Sequence, residues 1–355
     1  MKKIIKNASL LAYNTFGMDV KTAIFAEYDN TKELQEILAD PEIQTLMQQQ
    51  RDKGELPFWH IGAGSNLLFR GDYPGVVLHC TAKGMMRRND GETIEVMAGT
   101  TWDDVCCWCA KLGIYGAENL SLIPGETGAA AVQNIGAYGV EVKDLIQEVI
   151  CWDVIEQKQC VLTCEDMQYG YRSSLLKTPD AKSRYIVICV VLKLSKTPVL
   201  HLDYAGLKQA LNGNETPTPQ EVRDAVIAIR QGKLPDPKEL GNAGSFFKNP
   251  VVEKSVYERI LQEWRYGSEA HGEEASIPHY IINEELIKIP ADWLIEQCGW
   301  KGKSLGRAGV YEKQCLVLVN RGGAKSEEIV NLCQQVVTSV KEKFGVEIEA
   351  EVNLI

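Results

Sequence analysis

The sequence predicts an α+β protein, and three features of the chain lead to that prediction. Strand patterns recur from about residue 82 onward, and one predicted helix, Asp103–Lys111, interrupts them. The strongest apolar stretch, from Tyr185 to Leu194, is short and β-branched, which is typical of a buried strand. Strands and helices do not alternate regularly, so a doubly wound parallel sheet is not expected.

Periodicity and capping residues assign most elements in order. A helix through Leu34, Ile37 and Leu38 begins after Asp29 or Thr31, either of which can cap it. Further helices are predicted at 103–111, 220–231, 252–264, 291–298 and 326–344. Strands are predicted at 58–61, 76–79, 94–98, 149–154, 159–163, 186–194, 315–319 and 346–352. The glycine- and alanine-rich residues 124–139 are predicted to form a long loop.

The length of 355 residues suggests two or three domains. The segment Leu234-Pro235-Asp236-Pro237 ends the preceding helix, because proline cannot continue one, and it marks a boundary. Residues 265–280 are polar and are expected to form an exposed insertion.

Composition excludes several classes of function. The formal net charge of −10 argues against a general nucleic-acid binder or a binder of anionic membranes. No apolar run is long enough to span a membrane, and the N-terminus lacks the features of a signal peptide. The eleven cysteines include Cys106, Cys107 and Cys109, but no second pair completes a zinc site. Packed, reduced cysteines and a cytoplasmic location are therefore expected, with no metal.

Two loops rich in small residues have the composition of a cofactor site. Gly62-Ala63-Gly64-Ser65-Asn66 follows a predicted strand and could wrap a phosphate with backbone N–H groups. It is not the dinucleotide fingerprint, because Leu67 occupies the last glycine position, and a plain turn is an equally simple interpretation. Residues 123–139 could lie flat against a planar cofactor or could form a structural loop.

Three other segments carry side chains suited to catalysis. Arg172, within Tyr169–Ser174, could grip a carboxylate or phosphate, although an isolated arginine is more often a surface residue. Ser245, within Gly241–Pro250, is a hydroxyl close to a lysine and could transfer a proton, or it could be a turn residue. Glu351 belongs to a tail in which glutamates alternate with apolar residues, as on a half-exposed strand.

Taken together, these motifs resemble the UDP-N-acetylenolpyruvoylglucosamine reductase family almost from end to end. The resemblance is carried by Asn14–Gly17, Gly62–Asn66, Glu118–Leu120, Ile123–Gly125, Gln133–Gly139, Gly170–Arg172, Lys233–Pro237, Gly241–Pro250 and Glu351. It implies an FAD-binding fold of the vanillyl-alcohol-oxidase type in two subdomains, 1–81 and 82–233. It further implies a C-terminal α+β domain, 234–349, that covers the cleft and binds substrate, with 350–355 returning to the first subdomain.

The resemblance also implies roles for residues. Arg172, Ser245 and Glu351 match the catalytic residues of the family. Substrate is expected at Tyr138, Tyr204, Lys233, Lys248 and Asn249. FAD is expected at Gly62, Ala63, Gly64, Ser65, Asn66, Pro124, Gly125, Gly128, Gln133, Asn134, Gly136, Ala137 and Gly139.

The chemistry implied is reduction of an enolpyruvyl UDP-sugar, with NADPH as the hydride donor, by a monomer that binds neither nucleic acid nor membrane. The chain departs from the family pattern at Ala129-Ala130-Ala131, where serine and proline are common, and at Asn353, where arginine is common. Two alternatives stay open at this point: another FAD-dependent oxidase of the same fold, and a non-catalytic nucleotide-sugar binder.

Overall fold

The computed structural model describes residues 2–204, 206–266 and 276–355. The chain divides into two compact units. The first unit contains the N-terminal residues through Tyr13, Asp19–Ser65 and Gly71–Gly232, and the second contains Asn14–Met18, Asn66–Arg70 and Lys233–Ile355. The finer division into three domains stays a prediction.

Strands are spread along the whole chain. In order they are β1 (Lys3–Ser9), β2 (Lys21–Tyr28), β3 (Phe58–Ile61), β4 (Leu67–Leu68), β5 (Tyr73–Cys80), β6 (Met85–Arg87), β7 (Thr93–Met97), β8 (Gly136–Ala137), β9 (Val140–Glu141), β10 (Ile146–Asp153), β11 (Lys158–Thr163), β12 (Tyr185–Lys193), β13 (Gly241–Ser245), β14 (Val251–Glu253), β15 (Tyr280–Ile281), β16 (Leu286–Lys288), β17 (Ser304–Leu305), β18 (Ala308–Val310), β19 (Val317–Asn320) and β20 (Asn353–Leu354).

The helices lie between groups of strands. They are α1 (Thr31–Leu38), α2 (Pro41–Asp52), α3 (Trp102–Lys111), α4 (Thr127–Gln133), α5 (Pro179–Arg184), α6 (Leu207–Ala210), α7 (Pro219–Lys233), α8 (Lys254–Tyr266), α9 (Ala291–Gln297) and α10 (Ser326–Phe344). Short 3-10 turns occur at Leu11–Tyr13, Glu118–Leu120, Val142–Asp144 and Leu175–Lys177. None of the helices in the described ranges is long and apolar enough to cross a membrane.

The first unit contains two sheets. One has the order β1-β2-β5-β3, in which β2, β5 and β3 run parallel and β1 pairs antiparallel with β2. The side chains of Asn30 and Asp40 cap α1 and α2, and the buried Leu34, Ile37 and Ile43 turn toward the core. The edge strand β3 ends at Ile61, and the loop 62–66 follows it directly.

The other sheet of the first unit is antiparallel throughout, in the order β11-β10-β12-β7-β6. Its central strand, β12, is buried over seven consecutive residues, as the apolar stretch predicts. Cys106 and Cys109 are buried on α3, and all eleven cysteines are free thiols.

The prediction of one loop over 124–139 is wrong. Residues 127–133 form α4, and a short hairpin of β8 and β9 follows. Alanine has the highest helix propensity, and Ala130 and Ala131 are buried in the core of the unit, so the segment gains from helix formation. The glycines at its ends suggested a loop because sequence alone does not show that packing.

The second unit contains the sheet β13-β19-β18-β17, the sheet β14-β16-β15 and the pair β20-β4. The predicted strand over 346–352 is wrong as a regular element, although Val346, Ile348 and Val352 are buried and the glutamates between them are more exposed. The backbone there runs beside 246–248 and forms only an isolated bridge, Phe247 with Ala350. Of the predicted insertion 265–280, residues 267–275 lie outside the described residues.

Candidate functional site

The guanidinium of Arg172 is half-buried and is held by backbone carbonyls of the first unit. Nη2 donates to the Gly136 carbonyl at 2.6 Å, and Nη1 donates to the Asn134 carbonyl at 3.3 Å. Glu141 Oε1 lies 3.6 Å from Nη1. Arg172 is therefore not a freely moving surface arginine, and the structure brings it together with two residues that the sequence assigned to the cofactor.

The turn that carries Arg172 has a strained backbone. Arg172 has φ of +52°, a left-handed value that is unfavourable for a side chain with a Cβ. Gly170 and Ser173 exchange backbone hydrogen bonds of 3.0 Å across this turn. Lys177 Nζ donates to the Arg172 carbonyl and to Gln133 Oε1, both at 3.0 Å. These contacts fix the direction in which the guanidinium points.

The loops 62–65 and 124–128 are joined within the first unit. The Ser65 hydroxyl donates to the Pro124 carbonyl at 3.0 Å. A Cβ on Gly62 would lie 3.1 Å from Glu126 Oε2, and one on Gly128 would lie 2.8 Å from the Ala98 Cβ. Glycine at these two positions lets neighbouring segments pack closely.

The same two loops fit the phosphate groups of a dinucleotide cofactor. Gly64 and Gly125 have positive φ values of +69° and +126°, so the backbone turns sharply at both. The N–H groups of Ala63 and Ser65 make no hydrogen bond to the part of the chain that the structure describes. Two such donors in one glycine-containing turn can bind an anion. The side chains of Ala129, Ala130 and Ala131 offer no hydroxyl, so donors there must come from the backbone.

Tyr138 and Tyr204 form one aromatic pair in the first unit. Their ring centroids lie 6.3 Å apart with the planes at 84°. Asn119 Nδ2 donates to the Tyr138 carbonyl at 2.9 Å and to the His201 carbonyl at 2.8 Å, which ties the segment before Tyr204 to the segment of Tyr138. Burial raises the pKa of Tyr138, so its phenol is protonated at neutral pH.

Arg230, on α7, was missed from the sequence. Its Nε is buried and has no hydrogen-bond partner within the described ranges. Burial lowers the pKa of its guanidinium, while Tyr138 and Asp103 oppose that change. A partly buried guanidinium with an unused, buried donor is suited to an anionic ligand. The signal in the sequence is weak: one arginine after the apolar run Ala225–Ile229.

In the second unit, Ser245 ends β13. Gly244, with φ of +68°, allows the irregular register of this strand against β19, and its N–H donates to Asn242 Oδ1 at 2.9 Å. Ser245 is half-buried, and its hydroxyl makes no hydrogen bond to the described residues. The hydroxyl is therefore available to a substrate.

Glu351 lies beside the same segment. Its N–H donates to the Phe246 carbonyl at 2.8 Å, and its carbonyl accepts from Asn66 Nδ2 at 3.4 Å. The structure thus brings Ser245, Asn66 and Glu351 onto neighbouring stretches of backbone in the second unit. Burial of Phe246 and Phe247 fixes that arrangement.

The remaining predicted substrate residues differ in what they contact. Lys248 Nζ lies 3.4 Å from Glu349 Oε2. Asn249 Oδ1 accepts from the Ala291 N–H at 2.9 Å, which satisfies a donor at the start of α9. Lys233 is exposed at the end of α7, with no side-chain partner in the described part of the chain.

Comparisons with known proteins give a consistent result. A family model described as the C-terminal domain of UDP-N-acetylenolpyruvoylglucosamine reductase matches residues 236–355, and one described as an FAD binding domain matches 30–155. The UDP-N-acetylenolpyruvoylglucosamine reductase of Bacteroides fragilis (strain YCH46) is 45% identical over 350 residues, 98% of each chain. The enzyme of the same name from Flavobacterium johnsoniae is 40% identical over 359 residues, 99% of this chain and 100% of that one.

A solved structure agrees on the fold. The crystal structure of UDP-N-acetylenolpyruvylglucosamine reductase from Thermus caldophilus matches with a TM-score of 0.64 at 21% identity, over 100% of this chain and 98% of that chain. The predicted α+β fold with an FAD-binding region is confirmed.

Proposed function

Because this chain belongs to the UDP-N-acetylenolpyruvoylglucosamine reductase family, we propose that Arg172, Ser245 and Glu351 carry its chemistry. The reaction is the NADPH-dependent reduction of UDP-N-acetylenolpyruvoylglucosamine to UDP-N-acetylmuramate, a step of peptidoglycan precursor synthesis, with FAD as cofactor. When bound, FAD would supply the hydride chemistry between NADPH and the terminal carbon of the enolpyruvyl double bond. The chain must stabilise the charge that develops beside the substrate carboxylate and supply a proton to the other alkene carbon.

The two small-residue loops of the first unit are proposed to hold FAD. The N–H groups of Ala63 and Ser65, which make no hydrogen bond within the described ranges, support this role, as does the hydrogen bond that joins Ser65 to Pro124. The absence of a Gly-x-Gly-x-x-Gly fingerprint in the sequence is consistent with a cofactor held by loops. The C-terminal part, from Lys233 onward, is proposed to help bind the nucleotide sugar.

Arg172 is proposed to bind the substrate carboxylate. A guanidinium oriented by the carbonyls of Gly136 and Asn134 needs no rearrangement when charge develops, and a fixed cation is most effective in that situation. The left-handed turn at Arg172 supports the same role, because strained backbone is retained where a side chain must point in one direction.

Glu351 is proposed to polarise the same carboxylate. Two ionised carboxylates side by side repel, so Glu351 either shares a proton with the substrate or acts where Arg172 offsets the charge.

Ser245 is proposed to give its proton to the alkene carbon that does not receive the hydride. The O–H bond breaks, a C–H bond forms, and the alkoxide recovers a proton from solvent. A serine hydroxyl is a weak acid, so a nearby cation must stabilise the alkoxide. Lys233 is the better candidate for that cation than Lys248, because Lys248 is already paired with Glu349. The main support for the whole assignment is the Glu351–Phe246 hydrogen bond, which holds Glu351 next to the backbone of Ser245.

The phosphates of the UDP-sugar are proposed to meet Tyr138, Tyr204 and Arg230, whose buried Nε has no hydrogen-bond partner among the described residues, with Lys248 and Asn249 positioning other substrate oxygens. The Ala291 N–H holds the Asn249 side chain through its oxygen, which orients both amide N–H groups of Asn249 for that purpose.

The test separates the two half-reactions under anaerobic conditions. Ser245→Ala is expected to be reduced by NADPH at the wild-type rate, and to be reoxidised by the enolpyruvyl sugar about 10²–10⁴-fold more slowly. Stopped-flow absorbance of the flavin follows both phases. Ser255→Ala, an exposed serine on α8, is the matched control and should behave as wild type. Reoxidation of Ser245→Ala at the wild-type rate would remove Ser245 from the proton-transfer step.

We also propose that the enzyme is a monomer and that it acts in the cytoplasm. Eleven free thiols support a reducing compartment. Light scattering across a 100-fold range of concentration should return the mass of one chain, 39.5 kDa, and a larger mass would contradict the proposal.

A further inference from the structure

The imidazole of His79 lies between two carboxylates. His79 is on β5 and only 9% exposed. Its Nδ1 lies 3.1 Å from Glu27 Oε1, and its Nε2 lies 3.1 Å from Glu126 Oε1. An ionised carboxylate can only accept a hydrogen bond, so both ring nitrogens must carry a proton for both contacts to form. The geometry is that of a doubly protonated, cationic histidine.

The charges around His79 agree with that protonation state. From β1, Lys3 Nζ lies 3.5 Å from Glu27 Oε2, and from the adjacent 3-10 turn the Tyr13 hydroxyl donates to Glu27 Oε1 at 3.1 Å. The other histidine nearby is His60 on β3, whose Nε2 lies 2.8 Å from the hydroxyl of Tyr28 on β2. The remaining neighbour on β5, Cys80, is a buried thiol. Two carboxylates are balanced by Lys3 and His79 only when His79 is charged.

The pKa values follow the same geometry. Burial alone lowers the pKa of His79, but the hydrogen bonds and charges of Glu126 and Glu27 outweigh it and raise the pKa. Burial lowers the pKa of His60 to about 3, with the charge of His79 as a further cause, so His60 is neutral. Protonation of the cluster is therefore concentrated on His79.

Glu126 connects this cluster to the two cofactor loops. It lies between Gly125 and Thr127, at the start of α4, and forms a bridge to Thr101. Its Oε2 is 3.1 Å from the position that a Cβ on Gly62 would occupy. One oxygen of this carboxylate thus lies close to Gly62, and the other is held to the sheet through His79, while the Ser65–Pro124 hydrogen bond joins the two loops.

We propose that His79 is a positioning residue for FAD: as an imidazolium it fastens the 62–65 and 124–128 loops to the sheet, so that the protein binds FAD more tightly at low than at high pH. The inference rests on the proposed assignment of these loops to FAD. Loss of the proton removes one hydrogen bond and leaves two carboxylates facing a neutral ring. The loops then populate other conformations, and the apparent Kd rises in proportion to the fraction lost.

The experiment titrates the apoprotein with FAD between pH 6.0 and 9.5, with flavin fluorescence as the readout. The wild-type Kd is expected to rise about tenfold across this range, the change produced when the pKa of His79 differs by one unit between the FAD-bound and free protein. His79→Gln and Glu126→Gln should bind FAD more weakly at pH 6.5 and lose most of the pH dependence. The double variant should be no worse than either single variant, since both remove the same contact.

Three controls make the result decisive. His201→Gln removes an exposed histidine of the same unit and should keep the wild-type pH profile. Thermal unfolding of each apoprotein identifies any variant that fails to fold. If His79→Gln fails to fold, the isosteric Glu126→Gln still tests whether the His79–Glu126 contact affects FAD binding. Gly125→Val tests the loop assignment itself, because φ of +126° and the Ser65 hydroxyl 3.0 Å away oppose any side chain there.

Wild-type affinity of His79→Gln at pH 6.5, or an unchanged pH profile in it, overturns the inference about His79. Unchanged FAD affinity in Gly125→Val overturns the loop assignment instead, so the two failures are distinguishable.

Discussion

Replacing Gly136 with alanine should misplace the guanidinium of Arg172 without removing any functional group. A Cβ at this position would lie 2.7 Å from Arg172 Nη1, and 3.0 Å from both Glu141 Cγ and the Val140 carbonyl. The φ of Gly136 is not in the left-handed region, so alanine can adopt the local backbone. The substitution therefore displaces the guanidinium of Arg172 by steric overlap with a new methyl group on β8, the strand whose Gly136 carbonyl binds this guanidinium.

The displacement of the Arg172 guanidinium can be worked out from the contact distances. Ordinary van der Waals contact begins at 3.4 Å, so moving from 2.7 Å requires a shift of 3.4 − 2.7, about 0.7 Å. A displacement of about 1 Å in a positioning group costs roughly 10²-fold in rate. We expect reoxidation of the flavin by the enolpyruvyl sugar to slow by about 10- to 100-fold. Overpacking should also cost about 1–3 kcal/mol of the free energy of unfolding.

The assay is single-turnover reoxidation of NADPH-reduced enzyme, with the reductive rate and the FAD content measured on the same samples. Gly170→Ala is the matched control in the turn of Arg172, because among the described residues a Cβ there meets just the Ser173 Cβ at 3.6 Å, an ordinary contact. It should leave both rates unchanged. Normal reoxidation by a folded, flavin-loaded Gly136→Ala would refute the view that the Gly136 contact sets the position of Arg172.

Two further predictions concern a lysine and a carboxylate. With saturating enolpyruvyl sugar, Lys233→Met should slow reoxidation by at least tenfold. Lys248→Met, which breaks a pair with the exposed Glu349 and removes a group that positions substrate, should weaken substrate binding but change the saturated rate less than threefold; the reverse order of saturated rates would assign the alkoxide-stabilising role to Lys248. Asp103→Asn should cost about 1–3 kcal/mol of unfolding free energy at pH 7, because it weakens two hydrogen bonds from Arg223, of 2.6 and 2.7 Å, at a partly exposed carboxylate. Burial alone raises the pKa of Asp103, but Arg223 and the Leu122 N–H lower it overall, so the stabilisation is present above pH 4 and is lost as the pH falls through the depressed pKa. Urea unfolding of both proteins from pH 7 to pH 2.5 should therefore show the difference shrinking with acid, and a constant difference would contradict this account.

Sequence patterns located the regular elements where local periodicity determines them. Phe58–Ile61 and Ser326–Phe344 were predicted to the residue. The helix buries residues at helical spacing from Ile329 to Phe344, which is the pattern that local periodicity reports. The predictions fail where contacts with residues distant in the sequence determine the secondary structure. Residues 346–352 alternate as a strand does, but Glu351 pairs with Phe246, about a hundred residues earlier, and local pattern does not reveal whether a ladder forms. Residues 127–133 became a helix because the core accepts their alanines, which is likewise a tertiary effect.

In the candidate site, too, some features could be predicted from the sequence and others depend on tertiary contacts. Family motifs pointed to Arg172, Ser245 and Glu351, and their roles stay predictions, whereas the structure supplied the contacts around them. Arg230 and Lys177 belong to no motif that the sequence analysis singled out, and both were found through burial and hydrogen bonding. A sequence motif readily identifies the residues that contact a ligand. It does not identify the residues whose contacts hold those ligand-binding residues in place.

Asn134 illustrates why that distinction matters. The sequence assigned it to FAD, and that assignment stays a prediction. Its side chain is fully buried, with Nδ2 donating to the Gly170 carbonyl at 2.8 Å and Oδ1 accepting from the Lys143 N–H at 3.2 Å. The backbone of Asn134 is buried as well, with its N–H donating to the Ala130 carbonyl and its own carbonyl accepting from Arg172 Nη1 at 3.3 Å, so the contacts of this residue hold the turn that carries Arg172. The left-handed backbone at Arg172 costs on the order of 1–3 kcal/mol, and it persists because contacts such as these leave the turn no better conformation.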